Sequence, residues 1–322
     1  MSVHMLDVGQ GDSTFIELPD GTTMLIDAGE KPYGQTVIDY LEKKNCNKID
    51  YLVGTHPHSD HIGGLAQVIK HFDIGAVYLP KKAHTTTTYI DLLAAVKDKG
   101  LGVQSARADK NIARGDGFSV DILSPVSEDY GDNLNLYSVV VKITHGDKTF
   151  LFMGDAETEN ERELEDVSAD LIRVGHHGSN TSSGNEFVSR VDAEIAVVSV
   201  GEGNSYNLPK QDILNRWTDS GAKLYRTDQL GTVVARCDGN TITVEADGTV
   251  TESVGQTQEK EEISTAVTFL LNTSTKKIHL PDCGSLKLMS EKNKATTQKT
   301  MDELINEGYT ACSNCQPRGE KP

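Results

Sequence analysis

Long apolar runs are missing from this chain. No stretch of its 322 residues approaches the roughly 18 apolar residues of a membrane-spanning helix. The N-terminus, "MSVHMLDVGQGDS", lacks the basic n-region and long apolar h-region of a secretory signal, so it is not read as one. Aromatic residues are scarce, at 6% with one Trp, and no basic run is interleaved with aromatics in the manner of a single-strand nucleic-acid groove. Basic residues are outnumbered: 31 Lys and Arg face 48 Asp and Glu, for a net charge of −17. Residues 251–322 hold nine Lys and Arg against ten Asp and Glu, so nearly all of the acidic excess lies in 1–250. That counts against tight nonspecific binding of nucleic acid, which Lys and Arg drive at phosphates. It leaves nucleic acid open as a substrate where metal ions supply the local positive charge. Cysteine is also sparse. Cys46 and Cys237 stand alone and read as apolar packing, whereas Cys283, Cys312 and Cys315 cluster near the C-terminus.

What remains is enough for a packed core: 37% of the residues are hydrophobic, and the length suits one large domain plus a small one. "HMLDV", "STFIEL" and "TMLIDAG" read as successive strands, with "PDG" as a turn between the second and third. "GQTVIDYLEKKN" carries apolar residues at helical spacing, and "IDYLVGT" is a strand followed by the helical "GGLAQVIKHF". "SVVVKITHGDKTFLFMGD" is a hairpin, "ADLIRVG" and "AEIAVVSVG" are apolar strands, and "GTVVARCDGNTITVEADG" closes the body as another hairpin. Early strands linked by hairpins and later ones alternating with helices imply an α/β fold of two packed sheets with helices outside, a four-layer αββα sandwich. The expected organisation is a hydrolase domain over 1–250, a polar acidic linker over 251–265, "TESVGQTQEKEEIST", and a small α+β Cys/His module over 266–322.

The most informative segment is "VGTHPHSDHIGGL", residues 53–65. His56, His58, Asp60 and His61 crowd the end of an apolar strand, where four polar side chains rarely form a core. Imidazole nitrogen and carboxylate oxygen suit Zn²⁺, Mn²⁺ or Fe. In a tight turn, His56 and His58 can point one way and Asp60 and His61 another, serving two metals about 3.5–4 Å apart. Other polar strand ends follow in order: Asp27 after "TMLI", Asp155 after "FLFMG", and His176 and His177 after "DLIRVG". Any one of them alone reads equally well as a polar loop cap.

"LIDAG", "THPHSDHIGGL", "LFMGDAE" and "VGHHGS" resemble the sequential motifs of the metallo-β-lactamase superfamily. The resemblance is closest to the branch that contains the hydrolase domain of the bacterial DNA-uptake protein ComEC, through "DVGQGD", "HHGSNTSSG" and "RTDQLG", and it spans roughly residues 3–245. It implies two divalent ions: His56 and His58 on the first, Asp60, His61 and His176 on the second, and Asp155 bridging, with His177 as the less favoured alternative to His176. It implies catalytic roles for Asp60, which orients the attacking water, and for His177 as proton donor. Asp12, Asp27, Asn135, Ser138 and Ser179 take supporting or substrate-binding positions.

Two departures stand out. No histidine occupies the usual place between the His cluster and Asp155: His71 falls in a helix, His84 in a polar loop and His145 in a hairpin turn. Asn135 and Ser138 are kept in "NLYS", but Leu136 replaces a second Asn, and in "NSYNLP" Leu208 replaces a His. The implied activity is a metal-dependent phosphodiesterase or nuclease on DNA or RNA, bacterial in type. The alternatives are a hydrolase of a small phosphodiester or ester (phosphocholine, nucleotide or lactone) and a degenerate metal-binding sensor. "GSNTSSG", residues 178–184, reads either as an anion-receiving loop or as a loop and helix cap.

Near the C-terminus, His279-x3-Cys283 and Cys312-x2-Cys315 have the composition of a Cys₃His zinc site, with a disulfide as the alternative. "TTQKTMDELINEGY" between them reads as helical. Compartment and oligomeric state leave no mark on the sequence.

Overall fold

In this computed structural model the apolar residues of the inner strands sort by parity, as a sheet buried on both faces requires. Met24 and Ile26 enter one core while Leu25 enters another. Phe150 and Phe152 share the first core while Leu151 enters a third. Ile195 and Val197 divide from Ala196 and Val198 in the same way.

The structure describes residues 1–246, the backbone of 249–254, and 269–280, 283, 285–286, 289–297, 299, 304–305 and 307–312. It divides into two compact units, Met1–Gln256 and Thr257–Pro322. In the first unit one sheet runs, edge to edge, through β16 (Thr249–Val254), β15 (Ile242–Ala246), β14 (Val233–Cys237), β1 (Ser2–Met5), β2 (Thr14–Glu17), β3 (Thr23–Ile26), β4 (Lys48–Val53), β5 (Asp73–Leu79) and β6 (Val103–Ser105). The other runs through β13 (Lys223–Arg226), β12 (Ile195–Val198), β11 (Leu171–Arg173), β10 (Lys148–Phe152), β9 (Val140–His145), β8 (Phe118–Ser124) and β7 (Lys110–Gly115).

The facing sides of the two sheets share one core, in which Val3, Met24 and Val53 cluster with Phe150, Phe152 and Val197. Helices α1 (Gly34–Lys43), α3 (Leu65–His71) and α4 (Thr87–Asp98) cover the first sheet through Val37, Leu41, Leu65, Val68 and Leu92; the four-residue α2 (Ser59–Ile62) precedes α3. On the second sheet, α5 (Thr158–Glu163) is followed by α6 (Asn185–Val191) and α7 (Gln211–Asp219), which pack through Phe187, Val188, Leu214 and Trp217. This is the αββα sandwich expected from the sequence. Cys46 and Cys237 are buried in the apolar clusters, as packing residues.

Two expectations need correction. Residues 251–254, read as linker, continue β16, which pairs antiparallel with β15 in the register Thr243 to Ser253. An edge strand needs no apolar alternation and tolerates charge, so its composition mimics a linker. The remainder of the expected linker, 255–265, lies outside the described residues. In the second unit the order is β19 (Lys294–Thr297), β17 (Phe269–Asn272), β18 (Lys277–His279), β20 (Thr310–Ala311). Thr296 and Thr297, read as the start of a helix, instead pair with β17.

His4 on β1 is buried among polar partners: Nδ1 lies 2.8 Å from the Tyr40 hydroxyl and Nε2 lies 2.7 Å from Ser2 Oγ. Burial, reinforced by Lys44 and opposed by Glu17, lowers its pKa to about 4. The unfolded chain therefore takes up a proton first as pH falls. The stability contributed by neutral His4 is intact above pH 6.5 and erodes down to about pH 4. The unfolding midpoint of the wild type should fall more steeply over that window than that of His4→Asn; parallel curves would remove His4 from the account.

Candidate metal centre

Strand direction gathers the site. β3 and β4 run parallel, and so do β10, β11 and β12, so their C-terminal ends share one edge of each sheet. Asp27 follows β3, His56 to His61 follow β4, Asp155 follows β10, His176 and His177 follow β11, and Ser199 follows β12. Asn135 and Ser138 precede β9, which is antiparallel to β10 and so begins at the same edge. Close packing of these loops depends on glycine. A Cβ on Gly64 would lie 2.3 Å from the Ala28 carbonyl oxygen. Gly154, at φ +54, takes the left-handed turn that delivers Asp155.

Three donor clusters result. Asp60, His61, Asp155 and His177 bring ligand-type atoms within 4.8 Å of one another, and so do His56, His58 and Asp155, and Asp12, Asp27 and His61. Asp155 belongs to the first two. Its Oδ1 is 3.1 Å from His61 Nε2 and 3.5 Å from His177 Nε2, and its Oδ2 is 3.8 Å from His56 Nε2. The side chain is buried, and Oδ1 has no hydrogen-bond partner, an unusual state for a carboxylate oxygen. Ser138 Oγ accepts the Asp155 backbone N–H at 3.1 Å and fixes the turn.

The far nitrogens of three imidazoles are already committed. Asp27, fully buried, accepts from the Thr55 N–H at 2.8 Å and the Thr55 hydroxyl at 2.6 Å, and its Oδ2 lies 2.8 Å from His61 Nδ1. A carboxylate accepts, so His61 Nδ1 carries a proton, and Nε2 faces the cluster. The Thr55 hydroxyl, having donated to Asp27, accepts from His56 Nδ1 at 3.1 Å. The Ser199 carbonyl accepts from His177 Nδ1 at 2.8 Å. Each ring thereby presents Nε2 inward, as outer hydrogen bonds fix metal-ligating histidines. His56 Nε2 and His58 Nδ1 face each other at 2.9 Å, an arrangement suited to a shared cation.

The charges agree. Burial disfavours the Asp155 carboxylate, yet the cationic neighbours, His61 first, hold it well below the usual range. Burial also opposes a charge on His61, but Asp155, Asp27 and Asp60 raise its pKa well above normal. Burial keeps His56 neutral. The carboxylates thus demand positive charge at the place where the Nε2 atoms point, and this donor set fits divalent metal ions.

Of the paired histidines, the structure brings His177 into the Asp60 cluster and leaves His176 outside it. Both rings follow consecutive left-handed backbones, at φ 50 and 51, a conformation costing about 1–3 kcal/mol per residue where surroundings enforce it. That turn sends His177 inward and leaves His176 on the cleft. There its Nε2 is 3.6 Å from Asp155 Oδ2 and its Nδ1 3.3 Å from Glu157.

Asp12 does not reach the cleft; it pairs with buried Arg173 at 2.9 Å. Asn135 donates to Glu157 at 3.2 Å. Ser179 turns onto its own loop toward Thr181. The backbone N–H groups of Ser183 and Gly184 are spent on Glu161, and the Ser182 hydroxyl on Gly175. The 178–184 segment is therefore a loop and cap, with no anion-receiving groups to spare among these. Arg173, Thr55, Glu157 and Ser199 escaped the sequence reading.

The two clusters that share Asp155 open into a cleft of about 290 Å³ whose rim includes Gln10, Glu30, His176, Tyr206 and Leu208. Leu208 thus faces the cleft. Leu136 is buried, and its carbonyl accepts from Asn160 at 2.9 Å. Among the described residues no helix is long and apolar enough to cross a membrane.

Comparison with known proteins places residues 6–202 in the metallo-β-lactamase superfamily pattern. ComE operon protein 3 of Bacillus subtilis is 30% identical over 260 residues, which cover 73% of this chain and 33% of that protein. Competence protein ComA of Neisseria gonorrhoeae is 30% identical over 236 residues, covering 71% and 31%. The chain thus spans about a third of the length of these curated relatives. CmlA, a diiron β-hydroxylase from Streptomyces venezuelae, shares the fold at a TM-score of 0.51 and 16% identity, over 73% of this chain and 54% of its own.

After loading with Zn²⁺, elemental analysis should find about one equivalent fewer in His177→Ala than in wild type and no loss in His176→Ala, while Thr55→Val weakens metal affinity about 10- to 100-fold. Equal metal loss in both histidine variants would contradict the assignment.

Proposed function

The chain belongs to the metallo-β-lactamase superfamily, and from that premise we propose that the two clusters sharing Asp155 hold a pair of divalent ions, Zn²⁺ or Mn²⁺, and that the site hydrolyses phosphodiester bonds in DNA or RNA. The observation that carries this reading is Asp155, with one oxygen turned to each cluster. A shared carboxylate suits a two-metal site, and such sites recur in phosphatases and nucleases. Likeness to a competence protein favours nucleic acid over other phosphodiesters. When bound, such ions lower the pKa of water from about 15.7 to about 7 and offset charge growing on phosphoryl oxygens.

The protein's own groups do the rest. Asp60 lines the cleft and orients the attacking water. His176 takes the proton-donor role first given to His177: its Nε2 side lies on the cleft, and Glu157 and Thr181 stand behind Nδ1 at 3.3 and 2.9 Å. Glu157 is itself held by Asn133 and Asn135, which makes it a positioning residue. Tyr206, 66% exposed at the rim, offers a face on which a base can stack. Its loop is braced by Asn204, whose Oδ1 accepts from the Tyr206 and Leu208 N–H groups at 3.2 and 3.1 Å. On an acidic body, substrate affinity comes from the ions and from stacking rather than from Lys and Arg, so binding should depend only weakly on salt.

A second reading, a hydrolase of a small phosphodiester or ester, is favoured by the modest cleft and by Glu30 on its rim.

The test supplies Mn²⁺ or Zn²⁺ and follows single-stranded DNA, duplex DNA and bis(p-nitrophenyl) phosphate. Wild type should cut single-stranded DNA, and a His58→Ala, Asp60→Ala double variant should fall by at least about 100-fold, since loss of direct ligands exceeds the cost of losing their supports. Tyr206→Ala should lower the preference for oligonucleotide over the small diester about tenfold. Turnover of the small diester with DNA untouched would transfer the assignment to the second reading.

A further inference from the structure

We propose that the second unit is built around a structural Zn²⁺ held by His279, Cys283 and Cys312. Cys315 lies outside the described residues. The register of the small sheet makes the site. β18 and β20 run parallel with Ile278 opposite Ala311, and the Cys312 N–H donates to the Ile278 carbonyl at 2.9 Å. His279 and Cys312, the next residue on each strand, therefore emerge together at one end. The chain then turns back, with the Cys283 N–H donating to the Leu280 carbonyl at 3.0 Å, and the Cys283 thiol comes to 3.3 Å from His279 Nδ1. One nitrogen and two sulfurs thus lie within 4.8 Å of one another, all three residues buried. Ligands about 2.1 and 2.3 Å from one tetrahedral ion lie within about 4 Å of each other, so a small contraction closes the set.

The rest of the unit explains why an ion belongs there. Its apolar cluster among the described residues is Phe269, Leu271, Ile278, Leu304 and Tyr309. A module this small buries too little surface to fold on its core alone, and a bound ion supplies the missing free energy. A disulfide to Cys283 is not formed: its thiol is free. On binding, the ion displaces the thiol protons to solvent and takes the thiolates as ligands. The sulfur-rich set also differs in kind from the nitrogen and oxygen clusters of the first unit, which lets the two be distinguished in one protein.

The test uses the full chain. Zinc-loaded protein is titrated with p-hydroxymercuribenzoate, which attacks thiolates, and released zinc is read with a chromogenic chelator. About one equivalent should leave with the thiols. The His58→Ala, Asp60→Ala double variant should release the same amount. Cobalt in place of zinc should give a thiolate-to-metal charge-transfer band that survives in the double variant and is lost in Cys283→Ser. Because the mercurial and cobalt measurements use protein with all its cysteines, misfolding of Cys283→Ser would not obscure the result. Complete reaction of the thiols with no zinc released would overturn the proposal, and so would an unreduced mass two units low that peptide mapping traces to a disulfide of Cys312.

Discussion

The site rests on an excess of carboxylate in a dry place. Asp12, Asp27 and Asp155 are buried, and Asp60 stands half-buried on the cleft. Arg173 answers part of that charge. Its Nε meets Asp12 at 2.9 Å, its Nη1 donates to the Gly154 carbonyl at 2.6 Å, and its Nη2 approaches His177 at 3.2 Å. Removing two charges from water costs more than their attraction commonly returns. The pair is therefore better understood as a positional device: one side chain ties a loop of the first sheet to the two loops of the second that carry Asp155 and His177. The remaining negative charge creates the demand that a divalent cation meets.

Much of this was legible in the sequence, and the reason is locality. His56, His58, Asp60 and His61 fall within six residues, and Asp27 and Asp155 each end an apolar strand, so their chemistry shows without knowledge of the fold. Arg173, Thr55 and Ser199 were not legible, because each acts through partners brought near only by sheet pairing; in the sequence they are an arginine, a threonine and a serine at strand ends. The different placement of His176 and His177 was not legible either, because it turns on two left-handed backbones, which no side-chain pattern reveals. β16 was missed for the opposite reason: an edge strand lacks the apolar signature by which strands are found.

Fold alone does not determine the chemistry. The same architecture carries a diiron β-hydroxylase, so the functional argument must rest on donors and cleft. Leu208 stands on that cleft, while Leu136 lies beneath it, fixed through its backbone to Asn160. Of the two leucine substitutions, the one at 208 therefore lines the cleft, whereas the one at 136 is buried in the segment that carries Asn135.

The candidate donors divide between the sheets: His56, His58, Asp60 and His61 follow a strand of the first, and Asp155 and His177 follow strands of the second. Neither half holds a complete set. An ion captured there is a clamp across the sandwich, and its binding free energy is added to the cohesion of the two halves by mass action. With an ion in that place, metal supply and resistance to unfolding would become one quantity, so that scarcity of the ion would weaken the scaffold as well as the site.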